Sequence, residues 1–180
     1  AAGQAKLMKM RQLTGGFYYT GEGTVHSSSP VKLAELDQIL DEIRSEPVVI
    51  WASFTAEIDM IKALLDRRGI RNDVIDGRIK DAGDVIQRFQ DGELKALVCH
   101  PAAAGHGITL TAASYAVYYS MDFSYEKYQQ SRDRIHRKGQ SRPCTYYHLI
   151  CDGGVDEDIL WAVRNKAKVS DAVLRMIGRW

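Results

Sequence analysis

The sequence is poor in the residues that staple chains, break them or carry them across membranes. Only three of its 180 residues are cysteine (Cys99, Cys144 and Cys151), and no two are spaced as CxxC. That excludes a disulfide framework and the usual zinc sites, and it suits a reducing compartment. No apolar run approaches the roughly 18 residues that a membrane span needs. The opening AAGQAKLMKMRQ lacks the apolar core of a secretory signal. A cytoplasmic protein without a membrane partner is therefore expected. Neither sign of charge is in excess, with 24 Lys+Arg against 23 Asp+Glu, so no overall field selects a partner. There is no GxSxG elbow of a hydrolase and no phosphate-cradling GxxxxGK[ST] loop. The nearest string to that loop, Gly16 to Gly21, is followed by Glu22 and Gly23 where Lys and Ser/Thr are required. What remains is 45% hydrophobic and 26% charged, the composition of one globular domain with at most a small appendage.

Residues 1–29 stand apart. Lys6, Met8, Met10 and Leu13 have near-helical spacing and are followed by TGGFYYTGEGTVHSSS, read as an irregular connection ahead of the domain. Ser29-Pro30 signals a helix start, with Pro in the first helical position. Apolar periodicity then predicts helices over 31–45, 55–68, 81–91 and 124–136. Between them, VVIWA (48–52), 72–76, 94–100, 115–120 and 144–150 read as strands, and the chain closes in one or two helices. This alternation predicts an α/β fold, a parallel sheet flanked by helices on both faces. The domain is placed at 30–166, with a C-terminal helix over 167–180. Asp156-Glu157-Asp158 is read as acids favouring a helix amino end rather than as a metal box. His100 and His106, near Cys99, lack any ligand spacing for metal, and none is expected.

Two stretches carry chemistry. In PAAAGHGITLTAAS (101–114), Gly105 and Gly107 follow a strand and are expected to open a helical turn whose free amides suit anions. QQSRDRIHRKGQSR (129–142) belongs to a basic patch with six Lys/Arg and His136 against the single acid Asp133 between Lys127 and Arg142. Arg134 and Arg137, three apart, would share one face of a helix, and guanidinium forks match phosphate oxygens.

The spaced string Gln130, Asp133, Arg134, His136, Arg137, Gly139, Gln140 resembles motif VI of superfamily-two helicase-like ATPases, most closely the Swi/Snf-type DNA translocases. Other segments resemble the same family in the same order. KLMKMRQLTGG (6–16) is similar to its LxxLRQ segment, SSPVKLAELDQILDEI (28–43) to its S-x-K-L helix, VVIWASFTAEIDMI (48–61) to motif IV, VIDGRI (74–79) to its DG turn, and 101–114 to motif V. Two positions depart from the pattern. Thr109 stands where motif V has Asn or Asp, and Met121-Asp122-Phe123-Ser124 stands for Trp-Asn-Pro, with Ser124 a suitable N-cap.

The resemblance implies the second RecA-like lobe of a two-lobed motor, P-loop NTPase-like but without its own P-loop. The compactness of the chain points to a bacterial or phage source. ATP would bind between this lobe and an N-terminal RecA-like lobe of the same polypeptide, which would hold most of the Mg. Arg134 and Arg137 would be arginine fingers, with Gly105, Gly107, Thr109 and Gln130 completing the nucleotide edge. Ser53, Thr55, Gly77, Arg78 and His106 would meet the backbone of duplex DNA. The isolated chain is not expected to hydrolyse ATP. The competing readings are a stand-alone RecA-like nucleic-acid-binding module and an unrelated α/β enzyme using Cys99 or His106.

Overall fold

The computed structural model describes residues 2–79, 81–103, 107–166 and 169–177. Its elements in chain order are α1 (Ala2–Thr14), β1 (Phe17–Tyr19), β2 (Val25–Ser27), α2 (Val31–Glu42), β3 (Val48–Trp51), α3 (Thr55–Arg67) and β4 (Asn72–Ile75). There follow α4 (Ala82–Gln90), β5 (Ala96–Cys99), β6 (Tyr115–Tyr118), α5 (Tyr125–Ile135), β7 (Thr145–His148), α6 (Val155–Arg164) and α7 (Val169–Ile177).

Five strands form one sheet in the order β4-β5-β3-β6-β7, and every pairing in it is parallel. Strands buried on both faces read as unbroken apolar runs, and VVIW and ALVC are buried at every position. Alternate residues point to opposite faces. Val49, Trp51, Leu97, Cys99, Ala116 and Tyr118 therefore join α1, α4, α5 and α6 in one core. Val48, Ile50, Ala96, Val98 and Val117 join α2 and α3 in the other. This is the doubly covered parallel sheet expected of a RecA-like lobe.

The helix ends follow local chemistry. Ser124 caps α5, its Oγ accepting from Lys127 N at 3.3 Å. Gly69 leaves α3 at φ +65°, where a side chain would be strained. Pro30 stands one residue earlier than expected, as the N-cap of α2 rather than its first turn.

The segment read as an irregular connection contains an antiparallel hairpin, with Phe17 opposite Ser27 and Tyr19 opposite Val25. Tyr18 stacks on His26 at 5.3 Å, and Phe17 is fully buried against Phe54, ring centroids 5.3 Å apart. Among the described residues, no helix is long and apolar enough to cross a membrane.

Candidate functional site

In open parallel sheets, ligands meet the loops beyond the carboxyl ends of the strands. The turn after β3 lies there, and it is held on several sides. Ser53 N donates to Glu57 Oε2 at 3.1 Å and to Ser120 Oγ at 2.9 Å, and Phe54 N donates to the same Glu57 oxygen at 3.2 Å. His100 Nε2 lies 3.2 Å from the carbonyl oxygen of Ser53. Ser53 does not cap α3. The N-cap is Phe54, and Glu57 in the first turn reaches back to the amides of Ser53 and Phe54. Thr55, the first residue of α3, is exposed.

The Gly77-Arg78 turn after β4 is open to solvent, and a Cβ added at Gly77 would meet nothing within 4 Å. Arg78 is already engaged. Its Nε donates to Asp76 Oδ2 and its Nη2 to Asp59 Oδ1, each at 2.8 Å, and these two carboxylates push its pKa up. A DNA phosphate would compete with both.

Motifs V and VI meet on the face that carries α4 and α5. Among the described residues after β5, 107–114 are irregular rather than the expected helical turn, and Gly107 takes φ +91°. This stretch is held from below by motif VI. Leu110 N donates to the carbonyl of Arg134 at 2.9 Å, and Arg137 Nη1 donates to the carbonyls of Gly107 (2.9 Å) and Ile108 (3.1 Å). Gly105 and His106 lie outside the described residues.

Arg134 and Arg137 do not share a helix face, because α5 ends at Ile135 and Arg137 follows its C-cap, His136. They are nevertheless close enough to interact. Burial, then the charge of Arg137, lowers the pKa of Arg134, outweighing the opposite effect of Asp133. Arg137 is exposed, Arg134 and Thr109 are half-buried, and Gln130 is exposed on α5.

Sequence reasoning missed Gln140 as a site residue. Its Nε2 lies within hydrogen-bond distance of the carbonyls of Thr111 (3.2 Å), Ala113 (2.7 Å) and Ile135 (3.2 Å). Its Oε1 accepts from Arg142 N at 3.1 Å. Arg142 in turn donates to the Ala112 carbonyl at 2.6 Å and pairs with Glu46 at 2.7 Å. The end of motif VI is thus a clamp on motif V.

Also missed was a buried ionic cluster behind the β3 turn. Lys32 and Asp156 pair at 2.7 Å with both side chains almost wholly buried, so Asp156 is not simply a solvated acid at a helix start. Lys32 Nζ also donates to the Tyr119 carbonyl at 3.1 Å. Arg11 donates to the Met121 carbonyl at 3.0 Å and lies over the Phe54 ring, 5.0 Å from its centroid. Glu57 is fully buried, and burial pushes its carboxyl up to about 7. The signal was present in the sequence: Lys32 falls in register with Leu36, Ile39 and Leu40 on the buried face of α2.

The chemistry of a Cys99 enzyme is absent. The thiol is buried in the sheet, and desolvation pushes its pKa far up, away from the reactive thiolate. Among the described residues no group of three or more His, Cys, Asp or Glu could hold a metal ion.

Comparison with known proteins places this geometry. The chain is 36% identical over 148 residues to "Chromatin-remodeling ATPase INO80" of Mycosarcoma maydis, covering 79% of this chain and 8% of that protein. It is 32% identical over 148 residues to the protein of the same name from Homo sapiens, covering 79% of this chain and 10% of that protein. The chain thus spans no more than about a tenth of these curated relatives. A solved structure described as "Crystal structure of the C-terminal part of Fun30 ATPase domain" superposes with a TM-score of 0.68 at 25% identity, covering 77% of this chain and 46% of that one. Residues 31–139, which run from the start of α2 to Gly139 of motif VI, match the helicase conserved C-terminal domain, and the chain belongs to that family.

Proposed function

We propose that this chain is the second motor lobe of a Swi/Snf-type, DNA-dependent ATPase, and that it completes a nucleotide cleft whose other wall is an N-terminal RecA-like lobe of the same polypeptide. One observation carries the reading: motif VI grips motif V through the Arg137 guanidinium and the Arg134 backbone carbonyl, with the two arginine side chains close enough to interact. Guanidinium forks match phosphate oxygens, and burial and the charge of Arg137 both act on Arg134.

These residues fit ATP. Arg134 and Arg137 would hold phosphate oxygens, with Gly107, Thr109 and Gln130 along the rim. The described residues offer no carboxylate cluster for Mg, so the metal would be held by the other lobe. ATP supplies the phosphoryl group to be transferred. The two guanidiniums would stabilise the charge that develops during transfer, an effect worth roughly 10³–10⁵ in rate in other phosphoryl-transfer enzymes. The motif V carbonyls of Thr111 and Ala113 facing Gln140, and the two facing Arg137, would make motif V follow movement of motif VI. Nucleotide state would reach the DNA-facing side by that route.

On that side, the exposed Thr55 would contact the phosphate backbone of duplex DNA, a contact that positions without reading sequence, and Ser53, whose amide is held by Glu57 and Ser120 and whose Oγ is buried, would join only by a shift of the turn. Gly77 would allow close approach, and Arg78 would join only by leaving Asp59 or Asp76. His106 keeps its place in this reading through the resemblance of its motif alone. A bacterial or phage source rests on the absence of large insertions, whereas the relatives named above are eukaryotic.

The test is ATP hydrolysis with and without duplex DNA, by this chain alone and by the two-lobed protein. Silence of the lone chain and DNA-stimulated turnover by the pair support the proposal. Hydrolysis by the lone chain overturns it. A two-lobed protein that binds duplex DNA but never hydrolyses ATP would move the chain to the binding-module reading.

A further inference from the structure

We infer that Glu57 is the positioning residue of the DNA-facing turn, and that its protonation sets how well that turn receives phosphate. The inference rests on the proposed role of Ser53 and Thr55. Glu57 lies at the meeting point of three segments that are remote in sequence. One oxygen, Oε2, accepts from Ser53 N, Phe54 N and Ser120 Oγ. It therefore fixes the exit of β3 to the exit of β6. The other oxygen, Oε1, is buried without a hydrogen-bond partner. It faces Gly15 so closely that a Cβ there would lie 2.3 Å away. Buried polar atoms are nearly always satisfied, and an orphan carboxylate oxygen is costly. A proton on Oε1 lowers that cost and leaves Oε2 free to accept its three donors.

The groups around this carboxyl come from every element packed on it. Arg11 from α1 and Lys32 from α2 favour the ionised form. Tyr119, after β6, has its own ionisation opposed by Glu57 and donates its hydroxyl to the Gly15 carbonyl at 3.1 Å. Asp156, from α6, takes up the charge of Lys32. Asp122 acts at longer range through Arg11. Burial outweighs the two cations, so the carboxyl changes charge in the neutral range. When neutral, Glu57 carries its proton on Oε1 and still accepts the turn's donors through Oε2, without a charge. When ionised, it adds a buried negative charge behind the turn that carries Ser53 and the exposed Thr55.

The experiment is binding of a fluorescent duplex by the full chain at low salt, between pH 6 and pH 8.5, for the wild type, Glu57→Gln and Ser120→Ala. Wild-type affinity is expected to fall on the order of five-fold across this range, the effect of one charge partly screened near the surface. Glu57→Gln, the isostere of the protonated acid, should keep the high affinity and lose the dependence on Glu57. Ser120→Ala removes a hydrogen bond that favours the carboxylate, so its transition should move to higher pH. A purely structural role would lower affinity in both variants without changing the shape of either curve, and that result overturns the inference. Ser53→Ala with Thr55→Val separates this from failure of the underlying reading. If that double variant binds duplex as tightly as wild type, the turn is not a phosphate contact at all.

Discussion

Replacing Gln140 by Ala tests the junction of motifs V and VI without touching either arginine. The amide nitrogen has two hydrogens shared among the carbonyls of Thr111, Ala113 and Ile135, and Ala113 and Ile135 are fully buried. Each hydrogen bond lost costs about 1 kcal/mol net, and a buried carbonyl left without a donor costs about 1–3 kcal/mol. The oxygen of the same amide also gives up the backbone N–H of Arg142, but Arg142 is exposed and water replaces that contact. The sum is a loss of about 2–4 kcal/mol. With a urea m-value of about 2 kcal/mol/M, the unfolding midpoint should fall by roughly 1–2 M. Gln140→Glu sharpens the test, because it turns a carboxylate toward the same carbonyls. It should be at least as damaging at pH 7 and recover part of the loss at pH 4, where the acid is protonated. Urea melts of the chain at both pH values are the assay. A midpoint change below about 0.3 M for Gln140→Ala would show that motif V is held by other contacts, and the clamp would be refuted.

Asp156→Asn leaves Lys32 charged and buried and should cost about 3–5 kcal/mol by the same melts. Gly15→Ala places a methyl against the Glu57 carboxyl and the Phe17 ring and should cost about 1–3 kcal/mol, whereas alanine at Gly3, where a Cβ meets nothing within 4 Å, should be nearly silent. Glu57 gives a pH signature opposite in sign to that of an ordinary carboxylate. Its carboxyl is raised from 4.5 to about 7 in the folded chain, so the native state binds the extra proton, and stability should fall by about 3 kcal/mol as pH rises from about 4.5 to about 7. His148 opposes this trend. Burial lowers its pKa to about 4, so it contributes stability that is lost as pH falls from 6.5 toward 4. Comparing melts of Glu57→Gln and His148→Asn with wild type between pH 4 and pH 8 separates the two slopes, and identical pH dependence in all three proteins would contradict both assignments.

The sheet was legible in the sequence because strands covered on both faces have nowhere to put polar residues, and VVIW and ALVC show this plainly. Helices were legible from periodicity, with ends uncertain by a few residues: 31–45 was expected, and α2 closes at Glu42. The β1–β2 hairpin was not legible, since its strands have three residues each and β2 is exposed throughout. Arg134 was singled out through the spacing of motif VI, but the helical argument for its nearness to Arg137 does not hold, because the helix stops between them. Their proximity is tertiary. The charges of Arg11, Lys32, Glu57 and Asp156 were hidden for a different reason. A charged side chain is normally read as solvent-facing, and only its register with apolar neighbours reveals a buried one.

The claim that most needs testing is that Arg134 and Arg137 act on the phosphoryl group rather than merely hold motif V. Steady-state ATP turnover by the two-lobed protein with saturating duplex DNA, measured for Arg134→Ala and Arg137→Ala beside wild type, addresses it directly. The expected result is a fall in kcat on the order of 10³ for at least one variant with little change in KM, while its unfolding midpoint falls by much less than that of Gln140→Ala. Turnover within a few-fold of wild type in both variants would contradict the motor-lobe account.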